Sequence, residues 1–283
     1  MKQQKLESIL FNLAGGFVVL TVVGYIASAE LRGKVVQQCS ARMQPGQQFS
    51  LENGKGQLLS PIELQAQSGS REWGVLNNTR NIKAAGAPLG KAIEVNIKAT
   101  GNEDQADQNG LGFVWPVNAL AKANSACLSY SAFLPGGFKF PEPGYLPGLF
   151  AGSDLNTLDQ IPPVGGAVAR MGWVSGGELG VEVRAPGTNG YWVGASNLSG
   201  ANTYWPTGRW VAIEQEVKLN TPGKTDGLVR VWVDGELKVE ALELDLRGSD
   251  HFALSGVVSD IGYARTASDA VAIQVSPFIV QWQ

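Results

Sequence analysis

Basic clusters are missing from this sequence of 283 residues, in which no run of positive charge exceeds two adjacent residues. Charged residues make up 17%, and the formal net charge is -3 at pH 7. A nucleic-acid-binding surface needs concentrated positive charge, so we exclude a nucleic-acid partner. Histidine and cysteine are also scarce, with one and two residues. Their spacing fits neither a metal site nor a nucleophilic thiol, and we expect no metal and no cofactor.

Helical periodicity and internal repeats are likewise missing, whereas turn-forming residues are abundant, with 36 Gly and 14 Pro. Hydrophobic residues make up 44% of the chain, enough for a sizeable core. Short apolar or alternating runs, each bounded by Gly, Asn or Pro, predict strands. Those in the first half of the chain are 62–67, 72–76, 92–100, 111–117 and 127–134. We predict an all-β protein, with two antiparallel sheets packed as one large sandwich.

The clearest β signal covers residues 205–242, which contain three predicted strands and their connections. Alternation over 211–219 is typical of a strand with one buried face. A second strand over 228–234 leads through Asp234-Gly235 into a third over 236–242. Asp-Gly supplies the positive φ angles of a tight hairpin turn. The unit is therefore predicted to be an antiparallel meander.

This region and the segments upstream of it contain four distinctive motifs, GRW..IEQ.V.LNTPG..DG..RVWVDG, LSYSAFLPGGFKF, YLPGLFAG and ARMGW, spread over residues 128–242. Together these motifs resemble the polysaccharide lyase family 14 domain. The resemblance implies a concanavalin-like jelly roll whose concave face holds polyuronate chains in the active members. By resemblance, Arg170 in ARMGW would lie on that face and neutralise a substrate carboxylate.

Other positions depart from the family pattern. Tyr145 stands where these lyases have Lys before Leu-Pro-Gly, and Val168 stands where they have a small hydroxyl residue. Val181-Glu182-Val183 replaces a Tyr-x-Tyr strand in a loose alignment. If the protein is active, the catalytic residues would be Arg170 and Tyr145. Tyrosine has a pKa near 10, so Tyr145 would need a strong shift to act as a base. We therefore expect no appreciable lyase activity.

Aromatic residues favour binding over turnover, since sugar faces stack on aromatic rings while Arg and Glu contact hydroxyls or carboxylates. The predicted substrate-binding residues are Tyr191, Trp192, Tyr204, Arg230 and Trp232. One alternative is that Trp173, Trp210 and Trp232 are core residues. Another is that Tyr191 and Trp192 contact a protein.

Residues 9–29 carry no charge and, as a helix, are long enough to cross a membrane. We predict a transmembrane helix in residues 1–30, retained as a single-pass anchor in the inner membrane with the rest of the chain periplasmic. Gly15, Gly16 and Gly24 suit an interface with another helix. Cleavage as a signal peptide is the alternative, because Ala27-Ser28-Ala29 fits a cleavage site.

Residues 31–60 are polar and are predicted to form a stalk, which leaves 61–283 as the sandwich. Cys39 and Cys127 could form a disulfide in an oxidising compartment, and two unpaired thiols are the alternative.

Three functions remain open. The first is a catalytically silent accessory or structural subunit of a membrane or envelope assembly, whose partners are membrane proteins that contact the N-terminal helix. The second is a carbohydrate-binding module for a cell-envelope polysaccharide, with an acidic polysaccharide as a candidate partner. The third is a polyuronate lyase of the alginate type that acts by β-elimination.

Overall fold

The computed structural model describes residues 36–68, 72–99, 109–152, 166–185, 190–200, 202–248, 252–264 and 269–283. The predicted transmembrane segment lies outside these residues and stays a prediction. Among the helices within these ranges, none combines the length and apolar character that a membrane span requires. Residues Gln38–Gln283 form one compact unit.

The described residues are mainly β-strand, which confirms the predicted all-β class. The strands in chain order are β1 (Gly46–Gln48), β2 (Glu72–Trp73), β3 (Thr79–Lys83), β4 (Lys91–Ile97), β5 (Leu111–Pro116), β6 (Ser125–Leu134), β7 (Gly144–Gly152), β8 (Gly166–Trp173), β9 (Leu179–Arg184), β10 (Tyr191–Gly194), β11 (Arg209–Lys218), β12 (Gly227–Val233), β13 (Glu236–Leu244), β14 (Leu254–Tyr263), β15 (Val271–Val275) and β16 (Ile279–Trp282). Three short helices lie between them: α1 (Pro61–Gln67), α2 (Val75–Asn78) and α3 (Ser196–Ser199). Single 3-10 turns occupy Cys39–Ala41, Pro88–Gly90 and Asn118–Lys122.

The strands form two antiparallel sheets, consistent with a jelly-roll sandwich. A nine-stranded sheet has the order β13-β12-β11-β6-β15-β4-β3, with β16 beside β6 and β1 beside β16. A seven-stranded sheet has the order β10-β9-β8-β7-β14-β5-β2. Neighbouring strands are mostly distant in sequence, so the fold depends on long-range pairing.

Alternation along β8 divides the residues of the seven-stranded sheet between two faces. Ala167, Ala169, Met171 and Trp173 are buried in the main core, which contains residues of both sheets. The residues between them project to the opposite side, because successive strand side chains point to opposite faces. We call this opposite, outer face of the seven-stranded sheet the site face. It carries Arg170.

The predicted meander is present as β11, β12 and β13, paired in that order. Asp234 and Gly235 have φ angles of 50° and 84°, as the predicted Asp-Gly hairpin turn requires. The predicted strands over 92–100, 111–117 and 127–134 correspond to β4, β5 and β6.

The strand predicted over 62–67 is wrong, because these residues belong to helix α1. Ser60 accepts a hydrogen bond from the Glu63 backbone N–H, and the Glu63 carboxylate accepts one from the Ser60 backbone N–H. This capping box, with Pro61 at the first helical turn, starts a helix that the short apolar run conceals. The strand predicted over 72–76 is right only for β2, since Gly74 has a φ of 72° and leads into α2.

The compact unit begins at Gln38, earlier than the predicted boundary near residue 61. Strand β1 pairs with β16, and Phe49 and Leu51 are buried in the core. Cys39 and Cys127 form a disulfide. Residues 38–60 therefore belong to the sandwich and do not form the predicted stalk. Their many polar side chains lie at its surface.

Candidate functional site

Arg170 lies near the middle of the site face and is held by two carboxylates of the chain itself. Its Nη1 donates a hydrogen bond to Asp260 Oδ2 of β14 at 2.7 Å. Its Nε and Nη2 donate to Glu182 Oε2 of β9 at 3.1 and 2.7 Å. Arg170 and Glu182 are register partners on adjacent strands, so strand pairing alone brings them together.

Glu182 connects this pair to a wider network. Its second oxygen, Oε1, accepts a hydrogen bond from Arg184 Nε at 3.0 Å and one from the Tyr145 hydroxyl at 3.4 Å. Arg170, Glu182 and Asp260 are only 6%, 5% and 8% exposed. Buried charges persist only when they are paired and hydrogen-bonded. The network meets that requirement, so Arg170 is already neutralised within the protein.

Tyr145 and Trp192 stack on this network. The Arg170 guanidinium lies 4.2 Å from the centroid of the Tyr145 ring, in cation–π contact. The Tyr145 and Trp192 rings are stacked, with centroids 5.8 Å apart and planes inclined by 10°. Both side chains are half-buried, so part of each ring remains accessible.

Two glycines make room for the Trp192 ring. Trp192 is the register partner of Glu182 and therefore lies on the site face. A Cβ atom at Gly172 would lie 3.0 Å from the Trp192 ring, and one at Gly180 would lie 3.4 Å from it. Glycine at these positions lets the indole lie close to the sheet, an arrangement a larger residue at Gly172 would disturb.

The protonation states follow from this burial. Burial and the Glu182 carboxylate raise the pKa of Tyr145, and the two nearby arginines only partly offset them. The phenol is thus protonated at neutral pH and is unsuited to act as a base. Burial alone would lower the pKa of Arg170, but Asp260 and Glu182 outweigh that effect and raise it, so Arg170 stays charged.

A pocket of about 410 Å³ adjoins the stacked rings. It is lined by Glu142, Pro143, Tyr145, Ser175, Trp192 and Ala264. The lining combines two aromatic rings with a carboxylate and a hydroxyl, the mixture that suits a sugar ring with its apolar faces and polar edge.

The structure does not bring the predicted site residues together. Trp192 joins Arg170 and Tyr145 on the site face, whereas its neighbour Tyr191 projects to the opposite side of β10 and is 40% exposed. Tyr204 is 57% exposed and pairs with Glu178 in an isolated bridge outside the named strands. Arg230 and Trp232 lie on the outer face of the nine-stranded sheet, and Trp232 is buried at 1% exposure.

The alternative placement of three tryptophans in the core is partly right. Trp173 is fully buried in the core, and Trp232 is also buried. Trp210 is half-buried and packs against Phe133, with ring centroids 5.7 Å apart. It therefore lies at the surface of the nine-stranded sheet.

Sequence reasoning missed the partners of Arg170. Glu182 lies between Val181 and Val183 in an apolar strand, and Asp260 lies in the equally apolar run of β14. A carboxylate in a buried strand needs a cationic partner. That signal could have pointed to Arg170, but the partner strand is not evident from sequence.

Potential metal ligands cluster at one place within the described ranges, where Cys39, Cys127 and Glu214 come together. The two sulfur atoms are joined in the disulfide, so they are not available as thiolate ligands.

The known proteins to which this chain is similar include polysaccharide lyases. The family model for polysaccharide lyase 14 matches residues 188–263. The chain is similar in fold to the marine PL-14 alginate lyase of Aplysia kurodai, with a TM-score of 0.62 and 19% identity over 75% of this chain and 90% of that one. An alginate lyase from Chlorella virus gives a TM-score of 0.60 and 18% identity over 72% and 89% of the two chains.

A more distant likeness joins the chain to the endo-beta-1,4-glucuronan lyase of the fungus Trichoderma reesei. The TM-score is 0.52, and the identity is 10% over 85% of this chain and 96% of that one. No curated protein matches the chain in sequence. The chain thus resembles the polysaccharide lyase 14 family, sharing the jelly-roll fold of its alginate lyases and matching the family model over residues 188–263.

Proposed function

We propose that the protein binds a carbohydrate chain on the site face without cleaving it. The observation that carries this proposal is the state of Arg170, whose guanidinium is bound by Glu182 and Asp260. In a lyase, a cation or amide has to neutralise the substrate carboxylate so that the C5 proton can be removed. The positive charge of Arg170 is already compensated by these two carboxylates and is not free for that task.

The proton-transfer groups are also inadequate for β-elimination. A base has to remove the C5 proton, and an acid has to protonate the leaving oxygen. The raised pKa of Tyr145 keeps its hydroxyl protonated at neutral pH. Missing acid–base groups cost roughly 10²- to 10⁴-fold in rate each, so turnover by this arrangement would be very slow.

Binding, in contrast, needs only shape and stacking surface. In the Tyr145–Trp192 stack, the Arg170 guanidinium contacts one ring, and the other ring lies over the glycines of the sheet. Preorganised aromatic surfaces bind with little loss of side-chain entropy. The adjacent pocket adds Glu142 and Ser175 as hydrogen-bonding groups for sugar hydroxyls.

Two assays on the purified full-length chain test the proposal. The first follows the ultraviolet absorbance of unsaturated products in mixtures with polymannuronate, polyguluronate and glucuronan. The second is calorimetric titration with hexasaccharides of these uronates and of neutral glucose and mannose polymers. We expect no turnover, together with binding that falls about tenfold in Trp192→Ala.

Trp210→Ala is the matched control, because Trp210 is also half-buried but lies on the other sheet. It should leave binding unchanged. Absence of binding to every oligosaccharide would reject the proposal. Turnover that disappears in Tyr145→Phe would instead support the lyase alternative, with Tyr145 as a catalytic residue.

We also propose that residues 9–29 anchor this domain at the outer side of a membrane, as an accessory subunit that holds glycan near its partners. The support is the uncharged run in the sequence. Mass spectrometry of the mature N-terminus in native membranes tests the anchor, and a terminus at Glu30 would reject it. Copurification with other membrane proteins tests the accessory role.

A further inference from the structure

A second half-buried tryptophan lies at the far edge of the site face. Trp73 of β2 is the register partner of Gly112 on β5, and Gly112 is the register partner of Asp260 on β14. Directly opposed residues in antiparallel strands project to the same face. Trp73 therefore shares a face with Asp260, which is bonded to Arg170.

A second set of register partners reaches the opposite edge of the sheet. Arg170 pairs with Glu182, and Glu182 pairs with Trp192 on the edge strand β10. Across β7 the two sets are joined by the Arg170–Asp260 ion pair and not by register, because Arg170 pairs with Gly148. A tryptophan thus lies on each edge strand, with the ion network between them. The first set is Trp73, Gly112 and Asp260, and the second is Arg170, Glu182 and Trp192.

Both tryptophan rings lie against glycine. A Cβ atom at Gly112 would lie 2.0 Å from Trp73 Nε1, so the indole of Trp73 covers that glycine as Trp192 covers Gly172. The Trp192 ring lies against Gly172 on β8 and Gly180 on β9, and the Trp73 ring lies against Gly112 on β5. Gly112 is separated from Gly172 and Gly180 by three and four strand spacings, or roughly 14–19 Å at about 4.8 Å per spacing. That distance spans several linked sugar rings.

The charges between the two tryptophans do not favour an acidic chain. Among the described residues of the network and pocket, Arg170 and Arg184 supply two positive charges. Glu182, Asp260 and the pocket residue Glu142 supply three carboxylates. These described groups offer a uronate no uncompensated cation and would repel it, whereas an uncharged sugar incurs no such cost.

We propose that the site face binds an uncharged polysaccharide segment several sugars long, which runs across the strands from Trp192 to Trp73 over the neutralised Arg170 network. This inference rests on the proposed binding function and names its ligand class. Trp192, with Tyr145 and the pocket, forms the main contact. Trp73 is a specificity-determining residue for chain length.

Calorimetric titration of the full-length chain tests both parts. The probes are disaccharides and hexasaccharides of β-1,4-glucose, β-1,3-glucose and β-1,4-mannose, beside mannuronate and guluronate hexasaccharides. We expect a neutral hexasaccharide to bind at least tenfold more tightly than either uronate. Trp192→Ala should weaken the neutral disaccharide and hexasaccharide alike, while Trp73→Ala should weaken the hexasaccharide several-fold and leave the disaccharide unchanged.

Gly112→Ala provides an independent displacement of Trp73, because its new Cβ atom would collide with the indole. It should reproduce the chain-length effect of Trp73→Ala, and thermal unfolding establishes that both variants are folded. Binding of uronates alone would overturn the neutral ligand class but leave the binding function standing. Equal hexasaccharide affinity in wild type, Trp73→Ala and Gly112→Ala would overturn the spanning chain. Binding of none of the probes would reject the proposed function itself.

Discussion

The outer faces of the two sheets carry the same types of residue in different surroundings. On the site face, Arg170 is bound by Glu182 and Asp260 and lies next to the accessible Tyr145–Trp192 stack. On the outer face of the nine-stranded sheet, Arg230 is bound by Glu240 and lies two residues from Trp232. An arginine, carboxylates and a tryptophan therefore occur on both faces.

The difference is what covers them. Residues 38–43 lie on the outer face of the nine-stranded sheet, where Cys39 is bonded to Cys127 and Arg42 donates to Glu216 at 2.7 Å. Glu214 accepts hydrogen bonds from the Ser40 backbone N–H and hydroxyl at 3.1 and 2.7 Å. The polar groups named here are therefore bonded to residues 38–43 of the same chain.

Residue type alone therefore does not distinguish a binding face from a structural one. Trp232 is 1% exposed, whereas Trp192 is half-buried with a pocket beside it. A face becomes a candidate site when its aromatic rings stay accessible after its charges have been paired. Four substitution experiments test this difference between the two faces.

The largest effect should come from removing the disulfide that fixes residues 38–43. Cys39 and Cys127 are separated by 88 residues, and closing a loop of that length stabilises by about 4–5 kcal/mol in the chain-entropy picture. Chemical denaturation of Cys39→Ala/Cys127→Ala should show a loss of that order. Oligosaccharide affinity should not change under conditions where the variant is folded, and a loss of affinity there would mean that the two faces are coupled.

Next in size should be Trp232→Ala. Truncation of a buried tryptophan costs about 3–5 kcal/mol because a cavity remains, so the variant should unfold at lower denaturant concentration. Trp192→Ala should cost about 1 kcal/mol, since its side chain is partly exposed already. Comparable losses in the two variants would contradict the assignment of one tryptophan to structure and the other to binding.

Arg170→Met should cost about 3 kcal/mol, because it leaves Asp260 without its bonded cation in a buried position and Glu182 with only Arg184. Arg230→Met should cost about 1 kcal/mol, since Arg230 and Glu240 have side chains 21% and 20% exposed, and Glu216 retains Arg42. Urea unfolding of both variants measures the difference. If Arg170→Met hardly changes stability, its guanidinium is not a structural cation, and the role of neutralising a substrate carboxylate becomes the better explanation.

The smallest effect concerns Tyr145 at high pH. Because its pKa is raised in the folded state, it contributes stability below its unfolded value near 10, and this contribution is lost as the pH rises through the folded pKa. The ultraviolet difference titration between wild type and Tyr145→Phe should therefore have its midpoint above pH 10. A midpoint well below 10 would restore Tyr145 as a candidate base.

Much of the fold could be predicted from local patterns. Alternation of apolar and polar residues predicted β11, β12 and β13, and Asp234-Gly235 predicted the turn between β12 and β13. Both signals are local in sequence. Helix α1 was not predicted, because its short apolar run is typical of a strand, whereas a capping box starts a helix there. The start of the compact unit was not predicted, because residues 38–60 are held by long-range contacts. These are the disulfide, the β1–β16 pairing and the packing of Phe49 and Leu51 in the main core.

The site was harder to predict, because its partners come from distant strands. Resemblance pointed to Arg170 and Tyr145, and both lie on the site face. Glu182 and Asp260 are 12 and 90 residues away from Arg170 along the chain. Trp192 and Trp232 could not be distinguished from sequence, since the segment that occupies the second face is brought there by tertiary contacts.

A crystal structure of the full-length chain with the oligosaccharide that it binds most tightly tests the central claim most directly. We predict an intact sugar chain on the site face, stacked on Trp192 and Tyr145 and extending toward Trp73, with Arg170 still bonded to Glu182 and Asp260. A sugar carboxylate bonded to Arg170 in place of either residue, a cleaved chain, or a ligand on the nine-stranded sheet would contradict the account.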